Sequence, residues 1–416
     1  MYPAAMPRSW RAVGGGAAAV AVAAFAGYVA LNLIQQDLVA YWVAGSVRRL
    51  GLDPYVNHAV PGTAPGLWDG SAFHHSRFLY PPLAAELFRP LALLPYRAAK
   101  ILFTGGLLAA WIATAALARR DGRGLPATLI AGVLFFPLFL NFERGQIDLM
   151  LALLLVLAWK ARARAVAAGG LFALAAVFKP ALLGALPVLA VLGRWRWAGA
   201  VLGWTAATGV ATLVISGPAL AHEYAADVLP RALLYGEGGT NDMAYGERDL
   251  MRVGNDDHGE TQSIDGRTYR YTLDFFDRPV SASLPRLLAP ESPSWPTSLL
   301  PYLLAAAGLA WAARRVARAG ATGANEPLLL AAALIACVVT SPAGWAMGFV
   351  WALAVVPIAL GFFRDRQAPA PRRWVLLGAW IACALPPPLL AGWAAVAGTA
   401  LAVSLAWAAT ARIANA

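Results

Sequence analysis

Asp37 closes the stretch Leu33-Ile34-Gln35-Gln36-Asp37, where a long apolar run ends and Tyr41-Trp42 follow. A carboxylate at the boundary between hydrocarbon and headgroups is partly desolvated and is a better base than one in water. The same position also fits an acid at a helix end reaching for solvent. Gly51-Leu52-Asp53-Pro54-Tyr55 reads as a turn, in which Gly ends a helix, Asp accepts backbone hydrogen bonds and Pro fixes φ, so Asp53 reads as structural before catalytic. Arg77 stands ahead of Phe78-Leu79-Tyr80-Pro81-Pro82-Leu83, and reads either as a ligand for a lipid phosphate or as a snorkelling interfacial cation. His74-His75 are adjacent, so their rings diverge, and no carboxylate sits at metal-ligand spacing. Between two apolar runs lies Asn141-Phe142-Glu143-Arg144-Gly145-Gln146-Ile147-Asp148. A charge at the bilayer centre costs at least about 2.5 to 3.5 kcal/mol, so Asp148 and Lys179, near or within apolar runs, call for a cavity or a partner. Arg144 is spaced for an ion pair with Asp148. Lys179, before Pro180 at the tip of a hairpin, is better placed to hold a phosphate. A second polar stretch, Asn255-Asp256-Asp257-His258-Gly259-Glu260-Thr261-Gln262-Ser263, holds acids that would suit calcium or sugar hydroxyls, or are simply solvated, at spacings unlike an EF-hand loop. Thr268 to Phe276, with Tyr269, Tyr271, Phe275 and Phe276, reads as a short strand, an aromatic platform or a loop packing on itself.

The elements that must position these residues are helices in a membrane. Of 416 residues, 59% are hydrophobic and 13% charged, where a soluble domain carries about 25% charged residues. Mean hydropathy is +0.59, and the period-2 alternation of a transmembrane barrel is missing. Apolar runs bounded by charge, Pro or Gly fall at 14–34, 98–118, 125–140, 146–159, 165–178, 180–193, 197–215, 297–313, 327–341, 345–362, 373–387 and 390–411. The expectation is an all-α polytopic membrane protein with about 10 to 12 transmembrane helices, the pair at 165–193 being either two spans, a re-entrant hairpin or one broken helix. The first run is longer than a signal-peptide core and reads as a retained anchor. With the N-terminus in the cytoplasm, every even-numbered loop is short and basic: that side collects 18 of the 33 Lys and Arg and three of the 22 acids. The net charge of +11 is therefore a topology signal rather than a mark of nucleic-acid binding. Two long loops, 35–97 and 216–296, face outward and hold all five histidines. The whole of 1–416 reads as one integral-membrane domain, with interfacial helices in the first outer loop. Cys337 and Cys383 both lie in apolar runs and read as small buried hydrophobes.

An acid at the end of the first span followed by Tyr-Trp, then Gly-x-Asp-Pro-Tyr, Tyr-Pro-Pro-Leu, Gly-Gln-Ile-Asp opening a span and a lone Lys in an apolar pair resembles glycosyltransferase family 87. These are integral-membrane enzymes of the GT-C architecture, and the likeness covers roughly residues 15–215. It implies transfer of a hexose, mannose first among the candidates, from a polyprenyl-phosphate donor to a glycolipid or glycan acceptor. The reaction would take place on the outer face of the cytoplasmic membrane. Asp37 would be the general base of an inverting single displacement, and Lys179, Arg144 and Arg77, in that order, would hold the donor phosphate. Asp53, Tyr80, Gln146, Asp148 and His258 are the candidates for binding substrate. No cofactor is implied, a divalent cation is optional, and the partners are membrane lipids and the lipid-linked sugar, not nucleic acid. In many relatives a late outer loop carries a Ser-Pro-Ile-Ser-Trp stretch followed by histidine. Here it is Ser341-Pro342-Ala343-Gly344-Trp345-Ala346-Met347-Gly348, without the histidine, and His258 is the candidate to replace it.

Two other classes compete. A transporter or flippase would place ionisable groups at the bilayer midplane and often repeats internally, whereas here they gather at one end of the spans. A noncatalytic assembly subunit would tolerate loss of Asp37.

Overall fold

The structure is a computed structural model. It describes residues 8–55, 78–118, 124–233, 261–264, 267–270, 281–289, 294–320, 325–342, 344–356, 358–359, 370–388 and 392–411. The chain is an all-α polytopic membrane protein, with a two-stranded hairpin as the exception among the described residues.

Helices α1 (Arg8–Asn32) and α2 (Gln36–Arg49) are separated by the linker Leu33-Ile34-Gln35. Gln35 takes the left-handed conformation, at φ 57°, and is the one non-glycine residue with positive φ among those described. That conformation is disfavoured for any side chain with a Cβ and persists because the tertiary structure holds it. The Gln35 Nε2 donates to the Phe142 carbonyl at 2.7 Å and to Thr104 Oγ1 at 3.1 Å. Farther along the chain, α3 (Pro82–Phe88) starts on paired prolines, which suit a first helical turn because it needs no backbone donors. It packs on α2, and Gly45 makes this contact close: a Cβ there would stand 2.6 Å from the Phe88 carbonyl oxygen.

α4 (Tyr96–Leu117) follows. The run at 125–140 folds as α5 (Gly124–Val133) and α6 (Phe136–Arg144), bent by 71° across Leu134-Phe135, with Pro137 in the first turn of α6. Gly145, left-handed at φ 69°, ends α6. A Cβ on it would meet Leu38 Cβ at 2.7 Å, so the end of α6 lies directly on α2. α7 (Asp148–Lys160) leads away from this end and α8 (Ala165–Phe178) returns to it. Lys179 then breaks the helix before a 3-10 segment (Pro180–Ala185) and α9 (Leu186–Val191), so the pair at 165–193 is interrupted at Lys179 as its Lys-Pro step predicts. α10 (Trp195–Ile215) follows, then α11 (Pro218–Glu223), one π turn (Tyr224–Val228) and α12 (Leu229–Leu233).

β1 (Thr261–Ile264) and β2 (Arg267–Arg270) pair antiparallel, placing a strand within the aromatic stretch that begins near Thr268. The later helices are Leu284–Leu288, Trp295–Arg318, Asn325–Thr340, Ala370–Ala384 and Trp393–Ala411, with a 3-10 segment at Ala346–Val355. Ser294 caps Trp295–Arg318: its hydroxyl accepts from the Thr297 amide while Thr297 Oγ1 accepts from the Ser294 amide at 2.8 Å.

Among the described residues, five helices are long and apolar enough to cross a membrane, or six with the bent pair. The remaining apolar runs are shorter than a full span. α7, α8 and Asn325–Thr340 have 13, 14 and 16 residues, roughly 20 to 24 Å at 1.5 Å per residue, against a hydrocarbon core of roughly 30 Å. Every residue of Asn325–Thr340 is buried, so it is wrapped by protein on all sides. Its Glu326 receives a bidentate pair from Arg194 at 2.7 and 2.8 Å. Cys337 and Cys383 are free and buried.

Candidate active site

These elements enclose, at one end, a cavity of about 800 Å³. Its polar side begins on α2, where Gln36, Asp37, Ala40 and Tyr41 line it as two pairs at i, i+4 spacing, one face of a helix. Asp37 stands in the first turn, where the helix N-terminus favours a negative charge. It is 8% exposed, and that exposure is onto the cavity. It lies within electrostatic reach of Lys179, Asp148, Tyr41 and Tyr80.

Tyr41, buried and stacked on Phe88 at 4.6 Å, organises the next layer. Its hydroxyl donates to Gln146 Oε1 at 2.9 Å, which leaves its lone pair to accept from the Tyr80 hydroxyl at 2.9 Å. This chain of three polar groups from α2, the segment before α3 and the α6–α7 junction fixes Tyr80 and Gln146 in the cavity wall.

The two cations that line the cavity each have an acid behind them. Lys179 Nζ is 3.8 Å from Asp148 Oδ2, the lysine side chain 20% exposed and the aspartate 1%. Arg144 Nε is 3.0 Å from Glu143 Oε2, with exposures of 22% and 1%, and its other arm donates to Gln36 Oε1 at 2.7 Å. The sequence spacing pairs Arg144 with Asp148; the structure pairs each with another residue. Gly145 turns the chain between them, so the two never share a helix face, and Asp148 opens α7 toward Lys179. In both pairs the acid is sealed in protein and the cation faces the cavity, an arrangement that keeps the cation charged and aimed.

The other walls are mostly apolar. Phe178, Leu183, Leu229, Leu299 and Met347 line them, together with Trp295 and Tyr302 near the start of Trp295–Arg318. The late stretch contributes Thr340, Ser341, Pro342 and Trp345. It is joined to the segment before Leu284–Leu288, since Ala282 donates its amide to the Gly344 carbonyl at 2.9 Å and Ser281 bridges Trp345.

The cavity thus collects Asp37, Tyr80, Arg144, Gln146 and Lys179, with Asp148 one layer behind. Asp53 is not among the lining residues. Its Oδ1 accepts the Tyr55 amide at 2.8 Å, the role its turn motif predicts. Arg77, His74, His75 and His258 lie outside the described residues. Among those described, no group of three or more His, Cys, Asp or Glu is arranged to hold a metal ion. Sequence reasoning passes over Tyr41, Gln36, Glu143 and Lys100. Lys100 and Glu143 carry a visible signal, a charge inside or beside an apolar run, and Tyr41 carries none beyond its place one turn after Asp37.

Residues 78–252 match a family model described as glycosyltransferase family 87. The matched stretch contains Tyr80, Arg144, Gln146, Asp148 and Lys179 and begins after Asp37. No curated protein matches the chain, and no solved structure does.

Proposed function

We propose that this chain, a membrane glycosyltransferase of family 87, moves a hexose, mannose first, from a polyprenyl-phosphate donor to a hydroxyl of a glycolipid or glycan acceptor. The observation that carries the reading is the convergence on one cavity of a carboxylate, Asp37, with two cations, Lys179 and Arg144, beside an apolar wall that suits a lipid chain.

In this reading the acceptor hydroxyl gives its proton to Asp37 as its oxygen attacks the anomeric carbon. The bond from that carbon to the phosphate oxygen breaks, its electron pair leaves with the phosphate, and the centre is inverted. A phosphate is a stable anion, so the departing charge needs cations rather than an acid. Lys179 and Arg144 supply them from fixed positions. Tyr80 and Gln146, held by Tyr41, offer hydrogen bonds to sugar hydroxyls, and the reaction uses no cofactor. The charge asymmetry of the loops supports a multi-pass topology in the cytoplasmic membrane with both termini inside and the cavity outside. The large loops 35–97 and 216–296 belong to the same domain in this reading.

The test is transfer of radiolabel from polyprenyl-phosphate mannose to a membrane lipid extract by the purified, reconstituted protein. Asp37→Asn is expected to lower turnover roughly 100- to 10,000-fold, the usual contribution of a general base. Full turnover by the variant removes Asp37 as the base, and no transfer from any lipid-linked donor removes the donor assignment.

A further inference from the structure

Lys100 is fully buried in the second turn of α4 and takes no part in the chemistry above. Its Nζ donates to the Leu33 carbonyl at 2.6 Å and stands 3.7 Å from the centre of the Tyr269 ring, with the Tyr96 ring at 5.7 Å. None of the ion pairs among the described residues includes it. A buried amine held by a carbonyl and aromatic faces is costly, and an apolar side chain would fill the same space without that cost. What the amine adds is a simultaneous hold on two separate pieces of chain.

Those pieces are the linker before Asp37 and the hairpin of the second outer loop. Tyr96, one turn before Lys100, donates its hydroxyl to the Ile34 carbonyl, and the Ile34 amide donates to the Arg270 carbonyl at 2.9 Å. Gln35 is bonded through its side chain to α4 and α6. Each residue of Leu33-Ile34-Gln35 is therefore tied to another element, and Asp37 follows two residues on, in the first turn of α2. We propose that Lys100 is a positioning residue: by gripping the Leu33 carbonyl and the Tyr269 ring it docks the β1–β2 hairpin on the linker and fixes the Asp37 carboxylate toward the cavity. This rests on reading Asp37 as the base.

The experiment compares Lys100→Met and Tyr269→Leu, in the full chain reconstituted in lipid, each in the native and the Asp37→Asn background. A misplacement of about 1 Å at a reacting group can cost about 100-fold. Lys100→Met is expected to lower kcat by 10- to 100-fold with donor KM within about 2-fold, and Tyr269→Leu by a smaller factor in the same direction. In the Asp37→Asn background neither is expected to lower the residual rate further. Hydrogen exchange of the 33–41 amides is expected to quicken in Lys100→Met, a readout independent of turnover. Unchanged kcat, an equal loss in both backgrounds, or unchanged exchange overturns the inference. Full activity of Asp37→Asn alone overturns the base assignment instead, and exchange then decides whether Lys100 holds the linker. If Lys100→Met does not fold, Tyr269→Leu, which strips no charge from the core, carries the same outcomes.

Discussion

Lys179 and Asp148 have opposite fates when they are separated. Removing the lysine leaves a sealed carboxylate without its counter-charge, which typically costs about 3 to 5 kcal/mol, whereas replacing both members by apolar residues of similar size is often neutral. Lys179→Met is therefore expected to lower the thermal midpoint in detergent and to abolish transfer. Lys179→Met with Asp148→Leu is expected to recover the midpoint and not the transfer. Recovery of both by the double variant would make the pair purely structural. At this scale the sequence is readable wherever a charge interrupts an apolar run, and that logic singles out Arg144, Asp148 and Lys179. It does not give partners: Glu143 rather than Asp148 meets Arg144, because the intervening glycine turns the chain. Lys100 shows the same limit, since its ligands are a carbonyl 67 residues upstream and a ring on β2, far downstream.

The elements bring together groups that sequence leaves far apart. Glu223, at the end of α11, meets Asp53 in the turn after α2. Partial burial, then the Asp53 charge and a hydrogen bond to Asp53, push its carboxyl up from 4.5 to about 7. A carboxyl whose folded pKa is raised favours the folded state while protonated. That contribution is fully present below about 4.5 and is lost as pH rises through about 7. Glu223→Gln is expected to raise the thermal midpoint at pH 8 and to leave it unchanged near pH 4, flattening the profile between. A parallel profile in wild type and variant would refute the coupling. Helix identity is otherwise well marked in the sequence: Pro180, Gly145 and the Pro81-Pro82 pair stop or start helices where their backbone limits require. Whether a run crosses the bilayer is not, because an apolar run enclosed by protein and one facing lipid have the same composition. Hence the runs at 146–159 and 327–341 read as spans, although α7 and Asn325–Thr340, which they form, have only 13 and 16 residues, and α8, in the pair at 165–193 that sequence leaves open, has 14.

For the molecule as a whole, the distribution of charge makes a prediction about sidedness. In a variant lacking Cys337 and Cys383, Arg162→Cys, at the end of α7 away from the cavity, is expected to react with a membrane-impermeant maleimide only from the cytoplasmic side. Asp53→Cys is expected to react only from outside, and reversal of either pattern inverts the orientation. The multi-pass class is evident from composition alone, whereas the cavity is not, because its walls are drawn from Gln36 to Met347 and close only when distant segments meet. The enclosed helix Asn325–Thr340 has a bearing on how such a protein is made. Too short to span alone and with no face left for lipid, it has no settled resting place in the bilayer until its packing partners stand beside it, and these include the last helix, Trp393–Ala411, as well as the earlier Trp295–Arg318. Arg194, which precedes it in synthesis, waits for Glu326 at its entrance. Late arrival of the Thr340–Trp345 wall would keep the cavity open during biogenesis, so that the finished site exists only once the C-terminal third of the chain has been released and packed.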